Sequence, residues 1–181
     1  PENLRNLKIF NAVQLNPDFG LTDQYRFSKR IRNLKRQNDD EIIPYSIGFI
    51  QDENHGNCAF FSGKAYVDGG LKSRMALKPN FSMTGWIKPT ELGDNNCILG
   101  KGKDIVLKIH QGELTFTVKG VKDYHSAKTP IPLNQWSFIS LVHTSSDNFI
   151  SFYLNGKLTE KISLLTPYAG SDYTMLIGSN L

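Results

Sequence analysis

Over most of this chain apolar and polar side chains alternate with a period of two, in short runs separated by turn residues. The clearest run covers residues 104–119. Ile105, Leu107 and Ile109 alternate with polar neighbours, Gln111 and Gly112 turn the chain, and Leu114, Phe116 and Val118 alternate again. A two-residue loop fixes the register of a hairpin. It predicts Ile109 opposite Leu114, Leu107 opposite Phe116 and Ile105 opposite Val118 on one face. On the other face it sets Asp104 opposite Lys119, an opposite-charge cross-strand pair.

Residues 135–144 (QWSFISLVHT) are apolar in both alternating sets, as expected of a central strand covered on two sides. Residues 145–148 turn the chain, Ile150, Phe152 and Leu154 alternate inward, and Asn155-Gly156 closes a second hairpin. Further strands are expected at 58–61, 65–68, 81–88, 97–101 and 173–178. Many short strands with frequent turn signals mark an all-β sandwich.

The first 55 residues read differently. Residues 7–13 (LKIFNAV) suit a strand, and Asn16-Pro17-Asp18 suits a helix start, with Asn as the cap and Pro at the first helical position. Across 22–37, Phe27, Ile31 and Leu34 stand at i, i+4 and i+7, which predicts a basic amphipathic helix. The acidic turn at residues 39–41 ends it. The expected fold is therefore an all-β, two-sheet antiparallel sandwich with a short helical N-terminal segment. Neither an internal repeat nor a low-complexity tract interrupts it.

A length of 181 residues, 39% of them hydrophobic and 21% charged, fits one domain with a full core. No apolar run approaches the ~20 residues that cross a bilayer, so no membrane span is expected. The chain begins at Pro1 without an initiator Met or a signal-peptide pattern, as expected of a processed or excised product. The net charge is +4; residues 1–55 carry 8 basic and 8 acidic side chains, and the remaining 126 carry 13 and 9. All of that excess sits in the second part, where it favours anionic partners weakly and suits an evenly solvated surface equally well.

One segment is locally basic. Residues 26–36 (RFSKRIRNLKR) hold Arg26, Lys29, Arg30, Arg32, Lys35 and Arg36 with no acid between them. The order at 28–33 matches a spacing in which neighbouring cations meet successive sulfates, so these side chains are the candidate contacts to a heparin-like polyanion. The same spacing suits a solvated helix face, and Lys29-Arg30 and Lys35-Arg36 also suit dibasic processing. Nothing in the segment reads bases, so nucleic acid is not an expected partner. The four histidines share no ligand or catalytic spacing. Cys58 and Cys97 lack a metal-site spacing; they either pair across a loop of about 40 residues, worth roughly 3–4 kcal/mol, or remain two thiols. Asn80-Phe81-Ser82 is a glycosylation sequon at a strand edge.

Several motifs in sequence order resemble the laminin G-like and pentraxin-like jelly rolls of the concanavalin A-like lectin/glucanase class. They are residues 57–67 (NCAFFSGKAYV), 81–89 (FSMTGWIKP), 98–101 (ILGK), 134–143 (NQWSFISLVH) with 152–157 (FYLNGK), and 175–179 (MLIGS). The resemblance covers about 56–181, which divides the chain into an N-terminal segment, 1–55, and the sandwich, 56–181. Members continue with a closing strand that is missing after Leu181, yet residues 4–19 (LRNLKIFNAVQLNPDF) resemble that strand and its short helix. A strand over 4–13 would complete the sandwich from the front, with a basic helical linker over 20–52. A circular permutation and the tail of a preceding repeat both account for it.

The resemblance also sets expectations about chemistry. Trp86 and Trp136 occupy motif positions that belong to the core, which leaves Tyr124, Tyr168 and Tyr173 as candidates for exposed aromatics. Lys101, Lys103, Lys119 and Lys122 gather at one end of the first hairpin as solvated charge. Related glucanases place their two carboxylates as E-x-D-x-x-E on one strand, a string this chain lacks, so no enzyme is expected. Pentraxin-like calcium sites would correspond to Asp104 and Asn180, but calcium needs about six oxygens and this pair supplies few. An extracellular family favours a disulfide between Cys58 and Cys97. Taken together, the resemblance implies an extracellular or cell-surface recognition or adhesion module, secreted as part of a larger protein, whose partner is a glycan or an extracellular protein. A structural or assembly domain of a surface protein or toxin is the alternative.

Overall fold

The computed structural model describes residues 2–10, 21–28, 30–34, 42–69, 79–94, 96–102, 104–126, 129–168 and 173–179. Their alternating patterns become β1 (Glu2–Phe10), β2 (Leu21–Phe27), β3 (Ile31–Asn33), β4 (Ile43–Tyr45), β5 (Gly48–Asp52), β6 (Gly56–Phe61), β7 (Tyr66–Asp68) and β8 (Phe81–Pro89). Then follow β9 (Asn96–Lys101), β10 (Ile105–His110), β11 (Glu113–Val118), β12 (Lys122–His125), β13 (Ser137–Thr144), β14 (Phe149–Leu154), β15 (Lys157–Ser163) and β16 (Met175–Ile177). These strands make two antiparallel sheets, so the chain is an all-β jelly-roll sandwich. One is nine-stranded, in the order β15-β14-β13-β8-β1-β2-β3, with β6 also paired to β1 and β5 to β6. The other is seven-stranded, in the order β12-β11-β10-β9-β16-β7-β4.

The first hairpin has the predicted register: Ile105 pairs with Val118, Leu107 with Phe116 and Ile109 with Leu114. Its turn residues, Gln111 and Gly112, have φ of 51° and 83°, and Asn155 and Gly156 repeat this at 51° and 81°. Positive φ at both central positions matches the right-handed twist of the flanking strands, and only Gly and Asn-like residues adopt it cheaply. At the open end Lys119 N donates to Asp104 O over 2.9 Å, while Lys119 Nζ donates to the Gly102 carbonyl over 2.7 Å.

Between the sheets the inward positions interlock. Phe81, Met83 and Ile87 of β8 and Ile139 and Leu141 of β13 share one buried cluster with Ile105, Leu107, Ile109, Leu114 and Phe116 of the other sheet. The Phe81 and Phe116 rings, 6.0 Å apart, join the two layers. Each such side chain contributes about 1.5–3 kcal/mol by leaving water. In β13 the alternation is strict: Ser137, Ile139, Leu141 and His143 are buried, and Phe138, Ser140, Val142 and Thr144 are half-buried. β13 is central, as expected, but only one of its faces lies in the core, which corrects the expectation of cover on two sides.

β1 lies inside the nine-stranded sheet. Along one edge it pairs with β8, Glu2 with Pro89, Arg5 with Trp86 and Lys8 with Thr84. Along the other its first residues pair with β6, Leu4 with Ala59, and its last with β2, Leu7 with Tyr25.

Within the helix expected over 22–37 and the helical linker expected over 20–52, the described residues form β2, β3, β4 and β5 with their connections instead. Tyr25 and Phe27 are fully buried with exposed Arg26 between them, a period of two, and Ile31 is buried across the ladder. Phe27 pairs with Ile31. A hairpin with a three-residue loop brings residues four apart face to face, so the i, i+4 spacing of a helix and of this hairpin coincide. Leu34, the third member of the supposed apolar face, is 48% exposed. The Asn16-Pro17-Asp18 helix start lies outside the described residues. No described helix is long and apolar enough to cross a membrane.

Candidate functional site

Because β8 and β13 alternate, the residues that miss the core line the outer face of the nine-stranded sheet. Trp86 and Phe138 are cross-strand partners there, with ring centroids 5.4 Å apart and planes tilted by 53°. Thr84 and Ser140 are the next outward pair along the same ladder. The turn between β5 and β6 brings His55 within 5.1 Å of the Trp86 ring and 4.5 Å of the Trp136 ring. Phe138, Trp86, His55 and Trp136 thus form a continuous line of half-buried rings.

Asp52, the last residue of β5, fixes one end of this line. Its Oδ2 accepts the Trp136 Nε1–H at 2.9 Å and a proton of Lys88 Nζ at 3.1 Å. Its Oδ1 accepts the backbone N–H groups of Asn54 and His55, both at 3.0 Å. The carboxylate therefore closes the turn that carries His55 and clamps Trp136 to it. The hydrogen bond from Trp136 is the largest cause that holds its pKa well below the usual carboxylate range; burial opposes it, and Lys88 and the two N–H groups reinforce it. At neutral pH Asp52 is a fixed negative charge that already accepts four donors.

The basic hairpin belongs to the same sheet. Tyr25 and Phe27 point into the core, so Arg26 is exposed on the outer face, and Arg32 of β3, also exposed, is its cross-strand partner. Arg30 is exposed in the connecting turn. Lys29, Lys35 and Arg36 lie outside the described residues.

Other expected site residues are distributed elsewhere. Trp86 and Trp136 are not core residues, a correction that alternation explains. Phe81, Met83 and Ile87 share one parity in β8 and Trp86 has the other; Ile139 and Leu141 share one in β13, and Trp136 and Phe138 have the other. This parity was the readable signal for the aromatic line, whereas nothing local pointed to Asp52 or His55. Of the tyrosines, Tyr124 is buried with its OH accepting the Leu165 N–H at 2.9 Å, Tyr168 is buried against Phe81 and His143, and Tyr173 is exposed. Lys101 is buried rather than solvated, its Nζ donating to the Tyr173 carbonyl at 2.8 Å, and Lys103 lies outside the described residues.

Asp104, half-buried, uses its backbone N–H on the Lys101 carbonyl; Asn180 lies outside the described residues. Among the described residues no group of three or more His, Cys, Asp or Glu side chains is placed to hold a metal ion. The expected disulfide is not formed: Cys58 and Cys97 are thiols, one in β6 and the other in β9, on different sheets. Cys58 Sγ instead approaches the Gly56 carbonyl at 3.3 Å, and Cys97 Sγ the Leu107 carbonyl at 3.9 Å. Asn80 is exposed, and its Oδ1 accepts the N–H and O–H of Ser145 at 2.7 and 2.9 Å.

A family profile described as the concanavalin A-like lectin/glucanases superfamily, of laminin G type, matches residues 61–181. No curated protein matches the sequence. Among solved structures, the binding domain of botulinum neurotoxin serotype D superposes with a TM-score of 0.63 at 17% identity, over 82% of this chain and 40% of that one. Domain 4 of an extracellular arabinanase from Geobacillus stearothermophilus, in complex with arabinotriose, superposes with 0.58 at 16% identity, over 98% and 85%. The binding domain of Paraclostridial Mosquitocidal Protein 1 gives 0.61 at 13% identity, over 97% and 44%. At these identities the likeness is one of fold, and this chain spans less than half of either toxin domain.

Proposed function

We propose, on the premise that this chain belongs to the concanavalin A-like lectin/glucanases superfamily, that it is a non-catalytic carbohydrate-binding module acting at an extracellular or cell-surface location. The observation that carries this reading is the outward line of Trp86 and Phe138, flanked by the hydroxyls of Thr84 and Ser140 and by Lys88. A sugar ring has one apolar C–H face and a rim of hydroxyls, so it is matched by an aromatic surface beside polar side chains. The arabinotriose bound to the arabinanase domain and the binding domains of the two toxins agree with a recognition role.

The chemistry of the line favours binding over hydrolysis. Glycoside hydrolysis takes two carboxyl groups, one of them protonated to act as acid. Asp52 is held ionised and its oxygens already accept four hydrogen bonds, so it suits neither role.

The test is a glycan array with the wild type, Trp86→Ala and Phe138→Ala, with Leu34→Ala as an exposed control. At least one glycan class should bind, and Trp86→Ala should weaken it tenfold or more, about 1.4 kcal/mol. Trp86→Phe and a thermal melt separate lost contact from lost folding. Absence of binding across the array would remove the proposal.

A second reading, a domain that assembles with neighbouring domains of a larger protein, has its own observation. Ile43, Tyr45, Phe49 and Ile50 are 46%, 40%, 40% and 36% exposed along one segment. Ile43 and Tyr45 stand on β4 of the seven-stranded sheet and Phe49 and Ile50 on β5 of the other, a run of exposed apolar side chains that a protein partner would cover.

A further inference from the structure

We infer that the aromatic line and the basic hairpin are one site, and that its ligand is an acidic oligosaccharide laid across the strands of the nine-stranded sheet. The inference rests on the carbohydrate-binding reading and specifies the class of glycan.

The argument is one of sheet geometry. Phe138, on β13, is the register partner of Trp86 on β8, and Trp86 is the register partner of Arg5 on β1. Further along the sheet, β1 pairs with β2 through Leu7 and Tyr25, and Arg26 follows Tyr25 directly. Arg26 is in turn the register partner of Arg32 on β3. The register of β1 against β8 shifts between Arg5 and Lys8, so these positions form a transverse row over β13, β8, β1, β2 and β3 that is offset along β1. Neighbouring strands lie about 4.8 Å apart, so Arg32 stands roughly 14 Å from the strand of Trp86. That span suits several sugar units, not one.

The two ends of the row differ in chemistry. At one end the rings of Trp86 and Phe138 offer an apolar surface with Thr84 and Ser140 beside it. At the other Arg26 and Arg32 face each other as like charges on adjacent strands, with Arg30 at the tip of the same hairpin. The planar guanidinium fork binds sulfate and carboxylate groups bidentately, so both are accommodated. A single-stranded nucleic acid would use stacking and cations too, but the family of this chain favours the glycan.

The experiment uses calorimetric titration of the full chain with a heparin tetrasaccharide, its fully desulfated, N-acetylated and carboxyl-reduced counterpart, which carries no charge, and a hyaluronan tetrasaccharide, which carries carboxylates only. The heparin probe should bind at least tenfold tighter than the desulfated one. Arg26→Ala/Arg32→Ala should lose at least tenfold for the sulfated probe and less than twofold for the desulfated one. It should also show a shallower salt dependence, because fewer counterions are displaced. Arg26→Lys/Arg32→Lys should recover part of the loss, and Lys64→Ala, an exposed cation in the turn between β6 and β7, should change nothing. The hyaluronan arm distinguishes carboxylate from sulfate as the recognised anion. Equal binding of sulfated and desulfated probes, or an unchanged double variant, overturns the inference while leaving carbohydrate binding intact. Binding of neither probe, with an array that is also blank, overturns both. Equal competition by an oligothymidine of the same charge overturns the glycan in favour of nucleic acid.

Discussion

The indole N–H of Trp136 donates to Asp52 Oδ2 at 2.9 Å, across 84 residues of sequence. That bond ties the turn after β5 to the entrance of β13 and holds His55 between two tryptophans. It joins the N-terminal part of the chain to the outer face of the sandwich. Its consequences can be measured.

Asp52 should make stability acid-sensitive. Its folded-state pKa lies well below the unfolded value of about 3.9. A depressed carboxyl contributes stability that is complete above the unfolded pKa and is lost as pH falls below about 4 toward the folded one. Asp52→Asn should cost about 1.5–3 kcal/mol at pH 7, the range for hydrogen bonds to a charged group. The gap between variant and wild type should narrow in chemical denaturation below pH 4. A constant gap from pH 7 to pH 2 would show that the carboxylate's charge is irrelevant.

The β2–β3 hairpin predicts a sharp contrast between neighbours in sequence. Phe27 is 1% exposed in the core and Leu34 is 48% exposed. Phe27→Ala should cost about 3–5 kcal/mol, as large core truncations do, whereas Leu34→Ala should stay within about 0.5 kcal/mol. An amphipathic helix over the same residues would make both substitutions costly. Urea midpoints at constant slope decide it.

Deleting residues 1–13 should abolish cooperative unfolding. β1 pairs with β8 along one edge and with β6 and β2 along the other, so its removal leaves unpaired backbone on both sides. A truncated chain with an unchanged melting transition would mean that β1 is dispensable.

Thiol titration of the unfolded, unreduced protein should find both cysteines reactive. In the native state Cys97, half-buried, should react faster than Cys58, which is 0% exposed. A single product lighter by two hydrogens and blind to the reagent would instead establish a disulfide.

The sequence by itself determined the local geometry of this protein. The register of β10 against β11 followed from the Gln111-Gly112 turn and a period of two, because turn type and pleat parity are properties of a few consecutive residues. The family resemblance followed from motifs in order along 56–181. Parity along β8 and β13 could have turned Trp86 and Phe138 away from the core, but the expectation from motif positions put the tryptophans inside it. Only the tertiary structure decided what local pattern leaves degenerate or does not contain. Phe27 and Ile31 stand four apart in both a helix and a three-residue-loop hairpin, and the choice fell to the core that Tyr25 and Phe27 fill. The meeting of Asp52, His55, Trp86 and Trp136 likewise depends on which strands lie side by side. The same holds for the placing of Cys58 and Cys97 on different sheets and of Arg26 and Arg32 on the same sheet as Trp86. Strand order is set by the burial of whole faces between two sheets, a sum over distant residues that no short window of sequence carries.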